Sequence, residues 1–500
     1  CRLPTITKTR KPRFSETHER AGAETLPALS FCAAPDRVRA MIRTAIAATA
    51  LLLAIPLAAQ SQQEALDARY ERALAAGYKA LMLCSAIAVA ERNGTTRTPA
   101  SVEAWELTGI QTPHNAIIGD LPYEITRRPS GQIAHVAVTW ADTMPARIAV
   151  YYGAETGCSV LPIGAGEEVS AAQAPMSAAP AAPVQAAAAD PALGQQLAAP
   201  FVRAFEGGFG AGTRTTAVLV RQGGAQAERY APGFDASTPQ RTWSVAKSIA
   251  ASLVGGAVLS GETSVDDPVG LNYWRAGGAS DPRNAITIDY ALRMSTGRYS
   301  DTPGNRTDAL YFGGSSVDET ALNWPVLHAP GTVFRYANND TLLAVKAIGD
   351  WLTFYPPHEF FAKLGMNHTV AETDIRGEYI LSSQVWTTAR DLAKFGQLYL
   401  DDGKLPSGER VLPEGWVKYV SAPSGPQPTS GTFGYGAGFW LMNNIEGVPS
   451  DTISANGNRG QYVVIVPSRQ VVIVRRGEDP PGSGFDIAAF TREVLAALGE

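Results

Sequence analysis

Ser244 and Lys247 are the residues of this sequence whose types and spacing could do chemistry. They stand three positions apart where an apolar helical pattern begins, so their side chains share a helix face and can touch. The start of a helix offers unpaired N–H groups and the positive end of its dipole. A serine hydroxyl needs activation at neutral pH, and a desolvated lysine, whose ammonium form is disfavoured, can accept its proton. The pair therefore predicts nucleophilic catalysis, although so short a pattern also occurs at ordinary helix starts.

A second stretch, Tyr336-Ala337-Asn338, could complete such a site. It follows a turn signal, Ala-Pro-Gly at 329–331. A tyrosine hydroxyl near an ammonium group ionises more easily, so Tyr336 could take the proton of Ser244 and return it to a leaving group. Asn338 offers both a donor and an acceptor for orienting lysine or substrate. Alone, Tyr-x-Asn is typical of an ordinary loop, and its interpretation depends on the serine–lysine pair.

Hairpin patterns near both ends of the chain indicate the scaffold that would position these residues. One comprises residues 216–221 and 227–230, and the other residues 462–466 and 471–475. Strands from both ends can share one antiparallel sheet, and a closing helix is predicted at about 486–498. The middle of the chain reads mainly as helix and loop, with helices predicted from Ser244 and over 286–293, 340–352 and 389–400. The predicted fold class is α/β: an antiparallel sheet flanked by helices, with an inserted mainly helical subdomain and the site in the groove between them.

The region before this sheet divides by composition. Residues 1–40 are polar and Arg-rich, and we interpret them as an upstream extension without a structural role; an unusual targeting extension is the alternative. Residues 41–60 combine a basic start, a short apolar core and small residues before Gln60, which is typical of a secretory signal peptide. The apolar run is too short for a stable membrane span. A buried or anchoring helix is the alternative.

Two further segments precede the catalytic part. Residues 62–165 predict a small α+β domain of unknown role, with a helix over 62–91 and strands over 132–140 and 147–152. Residues 166–199 are dominated by Ala, Pro, Gly and Gln, which is typical of a linker. Residues 200–500 are long enough for a hydrolase domain with its own core.

Charge and cysteine usage narrow the class of protein. The chain has 42 basic and 47 acidic residues, a net charge of −5, and no basic patch that would indicate nucleic-acid binding. Of four cysteines, Cys84 and Cys158 fall in the predicted small domain. Export would place them in an oxidising compartment, so a disulfide is expected; two buried thiols are the alternative. The six histidines show no metal-ligand spacing, and no metal or cofactor is expected.

Together, the motifs at Ser244-x-x-Lys247 and Tyr336-Ala337-Asn338 resemble the first two motifs of the penicillin-recognising serine hydrolases. That superfamily includes class C β-lactamases, D-alanyl-D-alanine peptidases, related esterases and 6-aminohexanoate-dimer hydrolases. The sequence segments at 228–234, 292–297 and 434–440 add to the resemblance, which covers roughly residues 200–498. It implies a β-lactamase/transpeptidase-like fold and an acyl-enzyme mechanism.

The third motif departs from that pattern. Lactamases and peptidases of the superfamily carry Lys-Thr-Gly or His-Thr-Gly, whereas residues 454–462 read Ser-Ala-Asn-Gly-Asn-Arg-Gly-Gln-Tyr. This resembles the Gly-x-x-Gly-Gln version of the 6-aminohexanoate-dimer hydrolase branch. The family implies an oxyanion hole built from the N–H of the serine and of one residue on this strand, which we place at Asn458, with Gly457 and Gly460 on the same oxyanion and substrate strand. The missing cation would have held a substrate carboxylate.

These observations predict a periplasmic or secreted serine hydrolase that cleaves a small amide or ester through an acyl-enzyme on Ser244. Small amides and esters, including linear oligoamides, rank first as substrates, cell-wall peptides second and β-lactams third. A D-Ala-D-Ala peptidase or β-lactamase is the alternative enzyme. A non-catalytic binding or sensor protein on the same fold is the alternative of another class. No nucleic-acid partner and no membrane span after signal cleavage are expected.

Overall fold

The computed structural model describes residues 36–166, 190–301 and 307–499, with residues 36–60 described only as part of a helix. The predicted upstream extension up to residue 35 and most of the predicted linker lie outside the described residues. The chain divides into two units, residues 1–66 and residues 67–500. The second, larger unit carries the serine–lysine pair and the predicted sheet.

Sixteen α-helices are assigned within the described residues. They are α1 Asp36–Arg92, α2 Pro99–Trp105, α3 His114–Ile117, α4 Pro191–Gln196, α5 Ala198–Phe205, α6 Val245–Leu259, α7 Asn272–Ala276, α8 Ile288–Leu292, α9 Asp308–Tyr311, α10 Val317–Ala321, α11 Asn338–Ala347, α12 Gly349–Phe354, α13 Pro357–Lys363, α14 Ala389–Leu400, α15 Trp416–Ser421 and α16 Ile487–Leu498.

The strands of the described residues form three sheets. They are β1 Tyr123–Arg127, β2 Ile133–Val138, β3 Arg147–Gly153, β4 Gly157–Val160, β5 Thr215–Gln222, β6 Ala225–Tyr230, β7 Gln240–Arg241, β8 Val370–Ala371, β9 Val385–Thr387, β10 Gly434–Tyr435, β11 Trp440–Leu441, β12 Ile453–Gly457, β13 Gln461–Val466 and β14 Val471–Gly477. The orders are β1-β2-β3-β4, β10-β11-β12-β13-β14-β5-β6 and β7-β9-β8.

The seven-stranded sheet joins the two ends of the hydrolase region, as the hairpin patterns predict. β14 pairs antiparallel with β5, with Val474 opposite Leu219, so the last strands of the chain extend the first. Alternate residues of β13 enter opposite cores: Val463 packs on the side of α6 and α14, and Val464 on the side of α5 and α16. Helix α14 approaches closely because Gly396 has no side chain; a Cβ there would lie 2.5 Å from Val472 Cγ1. The predicted α/β class with an inserted helical part is confirmed.

Helix α1 differs from the helix predicted over 62–91. It begins at Asp36, and from Ala73 to Ala90 it is buried on every face. The sheet β1–β4 covers one side, while Phe312 contributes to the other, with its ring 4.7 Å from that of Tyr78. By length and composition the part from Ser61 to Arg92 could cross a membrane, but its most apolar window is buried inside the protein. The predicted small domain therefore packs against the hydrolase region through a shared core helix.

We call residues 67–166 the N-terminal module. It contains the disulfide between Cys84 and Cys158, whose Cα atoms are 6.2 Å apart. Beside this disulfide the Ser85 hydroxyl donates to Glu372 Oε1 at 2.5 Å, and the backbone N–H of Cys158 donates to the same oxygen at 3.0 Å. Burial raises the pKa of Glu372 to about 7. The disulfide thus lies at a buried polar junction between the module and the hydrolase region.

The predicted linker over 166–199 ends earlier than expected, because helix α4 begins at Pro191 and α5 at Ala198. Asp190 caps α4 by accepting from the N–H groups of Ala192 and Leu193. Leu193 and Leu197 are buried against the sheet. Alanine-rich composition suits a helix as well as a linker, and here the buried leucines favour the helix.

Replacing both Cys84 and Cys158 by alanine is expected to lower the free energy of unfolding by roughly 2–4 kcal/mol, because the disulfide closes a long loop in the unfolded chain. Urea unfolding of the full chain measures the change. Wild-type protein treated with reductant should show the same loss, whereas an unchanged midpoint in both samples would contradict a stabilising disulfide.

Candidate active site

Ser244 stands at the N-cap of α6, on a tight turn. Trp243 before it has φ +49°, a conformation that non-glycine residues rarely adopt, and the guanidinium of Arg241 lies 3.9 Å from the Trp243 ring centre. Unlike many N-cap serines, Ser244 makes no capping hydrogen bond with its side chain. Its hydroxyl is therefore available to Lys247, one helical turn later.

Lys247 lies buried beneath the serine, 1% exposed. Its Nζ is 3.1 Å from Ser244 Oγ, 2.7 Å from Asn338 Oδ1 and 2.9 Å from the carbonyl oxygen of Ser382. Burial lowers the pKa of Lys247 to about 7, and the charge of Asp301 opposes this only in part. The amine is thus substantially neutral near neutral pH.

The partners of the Lys247 amine are compatible with its neutral form. Two of them, the amide oxygen of Asn338 and the carbonyl of Ser382, can only accept hydrogen bonds. A neutral amine has two N–H groups for these acceptors, which leaves its lone pair for the hydroxyl of Ser244. The arrangement can therefore remove the serine proton directly.

Tyr336 lies beside both residues: the Lys247 Nζ is 5.1 Å from the centre of its ring, and its side chain hydrogen-bonds those of Ser244 and Trp440. Burial raises the pKa of Tyr336, and these hydrogen bonds offset the rise only in part. Its ring stacks on Trp440 at 5.3 Å and meets the edge of Tyr435 at 6.0 Å. The easier ionisation expected from the sequence is wrong, because aromatic burial disfavours the phenolate and the neighbouring lysine is itself poorly charged. Tyr336 is a neutral O–H that can donate or relay a proton.

Asn338 is the first residue of α11, and hydrogen bonds with Lys247, Thr307 and Asp301 fix its amide. Its Oδ1 accepts from Lys247, and its Nδ2 donates to Thr307 Oγ1 at 2.9 Å. The segment 292–297 contacts α11, because the Thr296 hydroxyl donates to Asp340 Oδ1 of that helix at 2.8 Å. This segment therefore holds the helix that presents Asn338.

Strand β12 borders the nucleophile at Gly457. A Cβ on Gly457 would lie 2.3 Å from the carbonyl oxygen of Thr242 and 3.2 Å from the backbone N of Ser244, so only glycine allows this approach. Asn458 follows in the turn, exposed, with its Oδ1 accepting from the N–H of Arg459. Gly460 does not lie beside Ser244, because a Cβ on Gly460 would instead meet the guanidinium of Arg475.

The structure thus brings together Ser244, Lys247, Tyr336, Asn338 and Gly457. Sequence reasoning missed Ser382, whose contribution is a backbone carbonyl and leaves no signature in residue type. It also missed the role of Trp440, although the segment at 434–440 contains this residue. Among the described residues no group of three or more His, Cys, Asp or Glu side chains could hold a metal ion.

Comparisons with known proteins identify the family of the chain. The sequence model of the β-lactamase family matches residues 196–497. A 6-aminohexanoate-dimer hydrolase of Paenarthrobacter ureafaciens is 28% identical over 313 residues, which cover 54% of this chain and 74% of that protein.

Two solved structures are similar at lower identity. A Bacillus anthracis protein assigned as a 6-aminohexanoate-dimer hydrolase has a TM-score of 0.48 and 18% identity, covering 57% of this chain and 79% of the other. A class C β-lactamase has a TM-score of 0.48 and 15% identity, covering 63% and 99%. Because the family model spans more than half of the chain, the protein belongs to the β-lactamase family of hydrolases.

Gly457→Ala is expected to lower kcat by about 100-fold, because the added Cβ must push β12 away from Ser244 and small displacements at a reacting centre have effects of this size. Gly349→Ala is the matched control, since a Cβ there meets nothing within 4 Å. Ester hydrolysis by the two full-length variants provides the measurement. Equal activities would show that the close approach of β12 does not matter.

Proposed function

We propose that this protein is an exported serine hydrolase that cleaves a small amide or ester through an acyl-enzyme on Ser244. The observation that carries the proposal is the buried Lys247 amine, 3.1 Å from Ser244 Oγ and bound by two acceptors. A non-catalytic binding protein has no need of a desolvated lysine aimed at a serine hydroxyl.

The proposed reaction has two halves. The neutral Lys247 amine takes the proton of Ser244 as Oγ attacks the substrate carbonyl, and backbone N–H groups of Ser244 and Asn458 stabilise the oxyanion. Tyr336 donates its proton to the departing amine or alkoxide and is reprotonated from Lys247. The carbonyl bond to the leaving group breaks, and the acyl group stays on Oγ. Water then attacks this ester as the neutral Lys247 amine takes its proton, the bond between the acyl carbon and Oγ breaks, and the proton passes to Ser244 Oγ as the acid is released.

The proposed substrate class follows from the absence of a cationic side chain on β12. The strand Ile453–Gly457 carries no Lys or His beside Ser244, so it offers no cation for a substrate carboxylate. The related Paenarthrobacter protein is a hydrolase of 6-aminohexanoate dimer. We therefore rank linear amides and simple esters before cell-wall peptides and β-lactams.

Export is part of the proposal. The signal-like composition of residues 41–60 supports it, and so does the Cys84–Cys158 disulfide, because such bonds persist mainly in oxidising compartments.

The wild-type chain should hydrolyse p-nitrophenyl butyrate, and Ser244→Ala should lower kcat by at least about a thousandfold, because the nucleophile is lost. The same assay is run with 6-aminohexanoate dimer, a D-Ala-D-Ala peptide and nitrocefin. Ser248→Ala is the control serine, since its hydroxyl only donates to the Gly438 carbonyl. A wild-type protein that turns over nothing and resists a fluorophosphonate probe would favour the binding-protein alternative, and nitrocefin turnover above the esters would reverse the substrate ranking.

The pH profile should identify the base. Lys247 accepts a proton only when neutral, so kcat/KM should rise about tenfold per pH unit below about 7 and level off above it. Tyr336→Phe should lower kcat but keep this ascending limb. An ascending limb found only at alkaline pH and lost in Tyr336→Phe would assign the base to Tyr336, whose pKa is raised.

A further inference from the structure

The side chain of Arg459 joins the turn between β12 and β13 to the N-terminal module. Its Nη1 donates to the Gly109 carbonyl at 2.6 Å, and its Nη2 donates to the carbonyls of Trp105 and Thr108 at 2.8 and 2.9 Å. All three acceptors lie at or just after the end of α2. A planar guanidinium with several fixed donors suits such a set of carbonyls better than a lysine does.

The contact is buried and has its own counter-charge. Arg459 is 6% exposed, and its Nε donates to Glu478 Oε2 at 2.6 Å. On the module side, a second buried pair joins Arg97 to Glu106 at 2.6 Å. Buried, hydrogen-bonded pairs of this kind are rigid, because breaking one leaves a desolvated charge.

The backbone of Arg459 is in an unfavourable conformation. Its φ of +56° lies in the left-handed region, which disfavours any residue with a Cβ. Glycine would fit this position without strain, as it does at Gly460, whose φ is +79°. The turn thus carries an arginine in spite of its backbone, which indicates that the side-chain contacts hold the turn in this shape.

The same turn borders the nucleophile. Gly457, two residues before Arg459, lies against the backbone of Thr242 and Ser244, and Asn458 between them carries the proposed second oxyanion donor. A shift of Arg459 moves the Asn458 N–H relative to Ser244 directly, since only one peptide unit separates them.

We propose that Arg459 is a positioning residue through which the N-terminal module fixes the oxyanion strand against Ser244. This inference rests on the proposed function and gives the module a role in catalysis. Arg459 does not touch the reacting atoms; it holds the turn whose backbone does.

The experiment compares Arg459→Ala, Arg459→Lys and Arg214→Ala in the full chain. Arg214 is the matched control: its Nη2 also bonds the module, at the Ala104 carbonyl at 2.7 Å, and its guanidinium lies 4.3 Å from the centre of the Trp105 ring, but it lies beside β5 and not on β12. Ester kcat and KM are measured separately, and deuterium exchange is followed over residues 456–461.

Arg459→Ala should lower kcat about 10- to 100-fold with KM changed less than threefold, because a misplaced donor weakens transition-state binding. Exchange over 456–461 should rise. Arg459→Lys should fall between Arg459→Ala and wild type, and Arg214→Ala should stay within threefold of wild type. Comparable kcat losses in Arg214→Ala and Arg459→Ala would show that the effect comes from a general loosening of the module. This result would overturn the proposal.

Two further outcomes are decisive. A folded Arg459→Ala with wild-type kcat overturns the proposal. If Arg459→Ala does not fold, Arg459→Lys decides: a kcat loss above threefold at unchanged KM supports the proposal, and wild-type kcat overturns it. Failure of the proposed function is separate, because it shows first in the wild-type chain as absent turnover and absent labelling of Ser244.

Discussion

Desolvation of the Lys247 amine is the constraint on which the rest of the site depends. A charged lysine in this position would be costly to bury, and this desolvation lowers the pKa of the amine to about 7, while two acceptors fix its direction. These acceptors come from α11 and from the segment at Ser382, and the serine comes from the start of α6. The packing of three separate segments around one nitrogen thus creates the base.

Burial shifts the pKa values of the two candidate proton carriers, Lys247 and Tyr336, in opposite directions. It disfavours the charged form of each, so it makes Lys247 a better acceptor and Tyr336 a poorer one. In the proposed mechanism the lysine then begins the reaction, and the tyrosine, still protonated, donates its proton to the leaving group of the substrate. Burial in one aromatic pocket can therefore give Lys247 and Tyr336 different roles without an additional charged residue.

The sequence was most informative where residue type and chemistry coincide. The serine–lysine spacing, the hairpins at 216–230 and 462–475 and the helix over 389–400 could all be predicted, because periodicity and motif are local properties. The carbonyl of Ser382 could not, since every residue has one. The ionisation of Tyr336 was mispredicted because it depends on rings at Tyr435 and Trp440, about 100 residues away in sequence. The burial of α1 on all faces was also missed, because part of its cover comes from the distant Phe312.

That enclosed helix has a consequence for how the chain is made. Ser85 of α1 is synthesised 287 residues before its partner Glu372, whereas the sheet β1–β4 that covers the other side follows soon after. One face of an apolar helix thus emerges from the ribosome long before its cover exists. Until then it exposes surface that promotes association with other chains. The order of synthesis therefore leaves this helix with an uncovered apolar face until the hydrolase region has been made.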